Sequence, residues 1–206
     1  MAGEWRLPKL PLVSGHQVVD VVDSIGAGVG NFKPGDPGGG VPWVYSACGT
    51  CEFCTTDREI LSPSIVVTGF IVDGGYAEYL VASAQCAVAV PDGLDFVDAA
   101  PIYCAGLTPY RALKVSGARV GETVAIWDVR GLGHYAVQIA KAMGTRVIAV
   151  DIQAAKLDLA RSLGADVVID ASKEKAERPL GPRAARTSPC AWHPLAGGYF
   201  QSVRGS

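Results

Sequence analysis

The sequence predicts an α/β protein in two parts: an irregular β-domain over the first hundred or so residues, then an incomplete doubly wound parallel sheet. Two observations carry this prediction. Short β-branched runs, punctuated by glycine and proline, fill the first part. Near Asp98 the period changes, and continuous apolar runs begin to alternate with segments of helical spacing. With 49% hydrophobic and 18% charged residues among 206, the chain has enough apolar content for a core. A formal net charge of -2 gives no electrostatic basis for binding nucleic acid or an anionic membrane. No apolar run approaches the ~20 residues that span a bilayer.

Residues 17–25 (QVVDVVDSI) read as the first strand, and Gly26 to Gly30 turn the chain. A second turn-rich stretch, residues 33–40, leads to residues 41–45, and residues 75–82 and 87–90 read as further strands. Residues 98–103 and 108–114 suit helices, with Pro109 in a first turn. Residues 123–127 (TVAIW) form a continuous apolar run, as in a strand buried on both faces. A helical stripe over 132–143 ends at Gly144, residues 146–150 (RVIAV) read as a second buried strand, and 154–163 as a helix closed by Gly164. Residues 165–169 then supply a third strand, completing β-α-β-α-β.

After about Lys175 the pattern stops. Residues 178–206 hold four arginines and four prolines with no lysine or acidic residue. A functional tail, a disordered end and a shifted reading frame all fit this composition, and the abruptness of the break favours the last. The expected division is therefore residues 1–108, 109–172 and an unmatched, disordered tail over 173–206. The first strand of the sheet would be left with an open apolar edge.

Three of the six cysteines, Cys48, Cys51 and Cys54, are separated by two-residue gaps. The first residues include an acid and no apolar h-region, which argues against a signal peptide and for a reducing, cytoplasmic setting. There the spacing points to metal before disulfides, since a turning backbone can aim successive sulfurs at one centre. Three uncoordinated thiols in a loop, or weak zinc binding completed by water or Asp57, both remain open readings.

The stretch VPWVYSACGTCEFC (41–54) resembles the structural-zinc lobe of zinc-dependent medium-chain alcohol dehydrogenases. Residues 8–16 (PKLPLVSGH), 73–79 (DGGYAEY), 99–106 (AAPIYCAG) and 131–134 (GLGH) resemble further segments of that family, in family order. The resemblance implies a GroES-like β-domain followed by a Rossmann domain. It also implies a fourth lobe cysteine after seven intervening residues, a position held here by Ser62. For the catalytic zinc it implies His16 and Cys104 as ligands, with a further cysteine in a segment that would precede Met1. The family's usual glutamate after the histidine is Gln17 here.

For the cofactor the resemblance implies NAD, with Gly131, Leu132 and Gly133 in the pyrophosphate turn and Asp151 on the adenosine ribose. Asp128 and Arg130 stand where the family has glycines, so a carboxylate would repel the phosphate and a side chain would block its approach. The implied activity is NAD-dependent oxidation of an alcohol to an aldehyde or ketone at zinc. The implied partners are a small alcohol or aldehyde, without nucleic acid or membrane, and a homo-oligomer. The departures predict an impaired, truncated form, with a catalytically inactive relic that binds zinc weakly as the alternative. A zinc-independent, quinone-reductase-like enzyme fits less well, because that group typically lacks the cysteine lobe.

Overall fold

The computed structural model describes residues 8–41, 43–173 and 199–203, with 38–41 and 199–203 described by backbone alone. The chain divides into two compact units, Met1–Cys104 and Ala105–Ser206.

In the first unit, β1 (Val18–Val21) pairs antiparallel with β2 (Pro37–Val41), and β3 (Val44–Ser46) pairs antiparallel with β4 (Val66–Val67). These are short pairs with register breaks, as the glycine and proline spacing predicts. Helix α1 (Phe96–Pro101) starts at Asp95, whose carboxylate accepts a 2.8 Å bond from the Val97 N–H. It packs on β1 through a small core of Val90, Ala99 and Tyr103, with Val19 and Leu94 against them.

The sequence and the structure part company at residues 75–82 and 87–90, which are not strands. Alternating apolar residues become a strand only where a neighbour completes the hydrogen-bond ladder. Here residues 78–82 run beside a cleft of about 1100 Å³ that they share with β1 and the turn after it. Tyr79 and Val81 remain exposed there, as do Val21 and Ile25 across the cleft.

The second difference lies between α1 and α2 (Leu107–Ser116), where residues Ile102–Gly106 form a turn of π-helix. Pro101 lacks the N–H that a continuous α-helix would use, and its ring crowds the carbonyl one turn back. The helix therefore widens, and Cys104 sits in the widened turn.

In the second unit, β5 (Thr123–Trp127), β6 (Arg146–Asp151) and β7 (Val167–Asp170) form a parallel sheet, joined by α3 (Gly133–Ala142) and α4 (Ala154–Ser162). One face packs Val124, Ile126, Val147 and Ala149 against Leu113, Ala136, Val137, Ala140 and Ala160 of the helices. The opposite face gathers Ala125, Ile148, Val150 and Ile169. Both faces of β5 and β6 are thus buried, which is why these strands read as unbroken apolar runs.

The edge of β5 is not open. Strand β8 (Tyr199–Val203) pairs with it antiparallel, from Thr123 opposite Val203 to Trp127 opposite Tyr199. The aromatic and β-branched content of YFQSV suits a strand, although without alternation the sequence does not announce one. Apart from residue 173 and this strand, the expected disordered tail lies outside the described residues.

Candidate functional site

Three groupings carry the chemistry. The first is the loop between β3 and β4. Two short 3-10 turns, Cys54–Thr56 and Glu59–Leu61, fold it back so that Ser62 returns to the cysteines. The ligand atoms of Cys48, Cys51 and Cys54 all lie within 4.8 Å of one another. Cys48 and Cys54 Sγ are 3.8 Å apart, and Cys51 and Cys54 Sγ 3.5 Å. The Ser62 Oγ is 3.8 Å from Cys48 Sγ and 3.6 Å from Cys51 Sγ.

These four distances are close to four of the six edges of a zinc coordination tetrahedron. Zinc–sulfur bonds of about 2.3 Å at tetrahedral angles separate sulfurs by about 3.8 Å, and a zinc–oxygen bond of about 2.1 Å puts oxygen about 3.6 Å from sulfur. The donor set therefore fits zinc, with Ser62 Oγ at the fourth corner. Asp57 does not belong to the group. Ser62 is buried, and its Oγ accepts a 3.2 Å bond from the Ser64 N–H. Hydrogen bonds from the Thr50 and Cys51 backbone, then from the Cys51 and Ser62 side chains, draw the Cys48 thiol down to about 6. The Cys54 backbone and Ser62 lower Cys51, whereas burial raises Cys54.

The second grouping is His16 with Cys104, whose Nε2 and Sγ stand 3.1 Å apart. The loop carrying His16 is clasped by the 73–79 segment. The Gly74 N–H donates to Val13 O, Gly75 to Gly15 O and Tyr76 to Ser14 O, while Asp73 accepts from the Val13 N–H. Gly74 has to be glycine, because a Cβ there would run into the Gly15 carbonyl oxygen. Trp43 meets the imidazole edge-on at a centroid distance of 5.0 Å, a contact not visible in the sequence. Burial lowers the His16 pKa, which favours the neutral, ligating imidazole. Gln17 is exposed. Among the described residues no third metal-binding side chain joins this pair.

The third grouping is the turn from β5 into α3. Gly133 opens α3 with no room for a side chain, since a Cβ would collide with the Asp128 carbonyl oxygen. Leu132 caps the helix, and the space where Gly131 would carry a Cβ is open to at least 4 Å. Asp151 ends β6 with its carboxylate buried. Its Oδ2 accepts from the Val129 N–H at 2.8 Å, and its Oδ1 accepts from Ile152 and Gln153 at 2.8 and 3.0 Å. Burial pushes this carboxyl up, but the three N–H donors and Lys156 outweigh it and hold the group below the usual carboxylate range.

Asp128 takes a left-handed conformation, φ 70°, where a glycine would be unstrained. Its carboxylate binds the Arg130 Nε at 2.8 and 2.7 Å and an Arg130 Nη at 2.6 Å. Lys156 Nζ lies 3.9 Å from the same carboxylate. The two departures from the glycine pattern are therefore partners. The repulsion expected of Asp128 is offset by a guanidinium two residues away.

The family model for the alcohol dehydrogenase GroES-like domain matches residues 1–92, and that for zinc-binding dehydrogenase matches residues 131–181. The chain is 52% identical over 175 residues to an alcohol dehydrogenase of Geobacillus stearothermophilus, covering 84% of this chain and 52% of that protein. It aligns with the crystal structure of the Aeropyrum pernix alcohol dehydrogenase at TM-score 0.75 and 35% identity, covering 84% of this chain and 52% of the other. The cobalt- and zinc-bound alcohol dehydrogenase of Pyrobaculum aerophilum aligns at TM-score 0.73 and 33% identity, over 81% of this chain and 51% of that one. The chain spans about half the length of the curated relatives it matches. Its two units are the GroES-like domain and a Rossmann-type parallel sheet, and the chain belongs to the zinc-dependent medium-chain alcohol dehydrogenase family.

Proposed function

We propose that this chain carries the zinc- and nucleotide-binding elements of an NAD-dependent oxidation of an alcohol to an aldehyde or ketone, in an impaired form. The observation that carries this reading is the 3.1 Å approach of His16 Nε2 to Cys104 Sγ. Imidazole and thiolate at that separation suit a shared zinc, and catalytic zinc sites combine three protein ligands with one open position. Zinc supplies a Lewis acid that acidifies a bound alcohol. His16 and Cys104 would hold it, and Trp43 fixes the imidazole plane. Cys48, Cys51 and Cys54 would hold a second, structural zinc, with Ser62 at the fourth corner.

On the nucleotide side, Asp151 would take the adenosine ribose through the lone pair of Oδ2 not used by Val129. A carboxylate at that point favours NAD over a 2′-phosphorylated nucleotide. Gly131, Leu132 and Gly133 would form the turn facing the pyrophosphate. The small-alcohol substrate, a cytoplasmic setting, homo-oligomeric assembly and the absence of nucleic acid or membrane partners belong to the same reading.

Impairment rests on Ser62, which puts a neutral hydroxyl where a thiolate would hold zinc more tightly. That shortfall also favours a second reading, an inactive relic that binds one zinc weakly in the cysteine lobe. The test is NADH formation from NAD with ethanol or benzyl alcohol, using zinc-supplemented protein. A slow, zinc-dependent rate is expected. Complete absence of turnover with one zinc per chain leaves the relic reading, and turnover at a typical rate of ~10 per second refutes impairment.

A further inference from the structure

The turn before α3 carries side chains where a phosphate-binding turn uses bare backbone, and the structure arranges them as a unit. Arg130 spends one edge of its guanidinium, Nε and one Nη, on the Asp128 carboxylate. A guanidinium has five N–H donors in a rigid fork, so a second edge is left over. The Arg130 side chain is 62% exposed, which leaves that edge open to solvent, while Asp128 is only 23% exposed. Lys156, also 23% exposed, approaches Asp128 from the start of α4.

The charged groups here are therefore Asp128, Arg130, Lys156 and Asp151. The Asp151 charge is spread over three backbone N–H donors, and the Asp128 charge faces two cations. What this turn presents to an incoming anion is the outer edge of Arg130.

We propose that Arg130 contacts the phosphate of a nucleotide bound at this turn, and that Asp128 is its positioning residue. A carboxylate–guanidinium–phosphate arrangement would stand in for part of the glycine cradle. The left-handed backbone at Asp128 serves this directly, because it places the carboxylate under a side chain only two residues on. The proposal rests on the nucleotide reading above, and it reverses the simplest view of the two substitutions as damage that excludes phosphate.

Titration calorimetry of the whole chain with ADP-ribose and with adenosine separates the possibilities. In Arg130→Gln the ADP-ribose Kd is expected to rise at least ~10-fold, the scale of a lost charge-assisted bond. Arg130→Lys should recover less than half of that loss on a logarithmic scale, since an ammonium cannot engage carboxylate and phosphate through two edges. Asp128→Asn should raise the Kd about 3-fold or more, and adenosine binding should be unchanged in every variant. Asparagine tolerates the left-handed backbone, and Asp128→Gly serves in its place if Asp128→Asn does not fold.

An unchanged or lower ADP-ribose Kd in Arg130→Gln overturns the proposal and leaves the nucleotide reading intact. So does adenosine binding without any ADP-ribose binding. A tighter complex in Asp128→Asn overturns the positioning role. Failure of wild-type protein to bind either probe overturns the proposal and the nucleotide reading together.

Discussion

His16 Nε2 and Cys104 Sγ stand 3.1 Å apart, although 88 residues separate them in the chain. One arrives on a loop clasped by the 73–79 segment, the other in a π-helical turn created beside Pro101. If the two share a metal, His16→Ala and Cys104→Ala should reduce bound cobalt by the same amount per chain. Both should leave the cobalt of the cysteine lobe in place. Metal analysis with visible spectroscopy checks this, and a loss in only one variant breaks the pairing.

Ser62 Oγ faces the sulfurs of Cys48 and Cys51, where the resemblance implies a fourth cysteine. Replacing a neutral hydroxyl by a thiolate at 3.6 to 3.8 Å from two sulfurs should tighten zinc. In Ser62→Cys the zinc affinity is expected to rise on the order of 10- to 100-fold, a scale comparable to that lost with a supporting contact at other metal sites. Competition against a chromogenic chelator measures it. Ser62→Ala should leave the lobe no tighter than wild type, and should cost about 1 kcal/mol through the unpaired Ser64 N–H.

Gly133 admits no Cβ because the Asp128 carbonyl oxygen occupies that space. Gly133→Ala must therefore push α3 away from the end of β5. The expected cost is on the order of 2–3 kcal/mol, read as a lower urea midpoint. Gly131→Ala, where a Cβ would meet nothing within 4 Å, should cost well under half as much.

Asp166 links α3 to the parallel sheet. Its carboxylate binds Lys141 Nζ at 2.8 and 2.9 Å and accepts a 2.6 Å bond from the Val147 N–H. Lys141 first, then Val147, holds its pKa below the usual carboxylate value. A carboxyl depressed in the folded state adds stability above its unfolded pKa of about 3.9 and loses that contribution as pH falls through the folded value. Asp166→Asn should therefore be less stable than wild type at pH 7, by about 1 kcal/mol after allowance for exposure. Urea titrations should show the gap closing as pH falls below about 4.

Much of this molecule is legible in the sequence alone. The buried runs of β5 and β6 and the stripes of α3 and α4 emerge from apolar periodicity, which depends only on which residues face a core. The cysteine spacing marks a metal loop for a similarly local reason, since a short turn must bring those sulfurs together. What depends on distant partners stays hidden. Residues 75–82 have a strand's composition and no strand, and Tyr199–Val203 is a strand that covers the β5 edge.

The same limit applies at the site. Only the tertiary structure seats Ser62 at a tetrahedral corner, brings His16 to Cys104, and turns Asp128 and Arg130 from two separate losses into one ion pair. Periodicity reports burial, which each residue expresses by itself. Coordination and ion pairing are properties of two or more atoms at a distance, and that distance is set by the folded backbone between them.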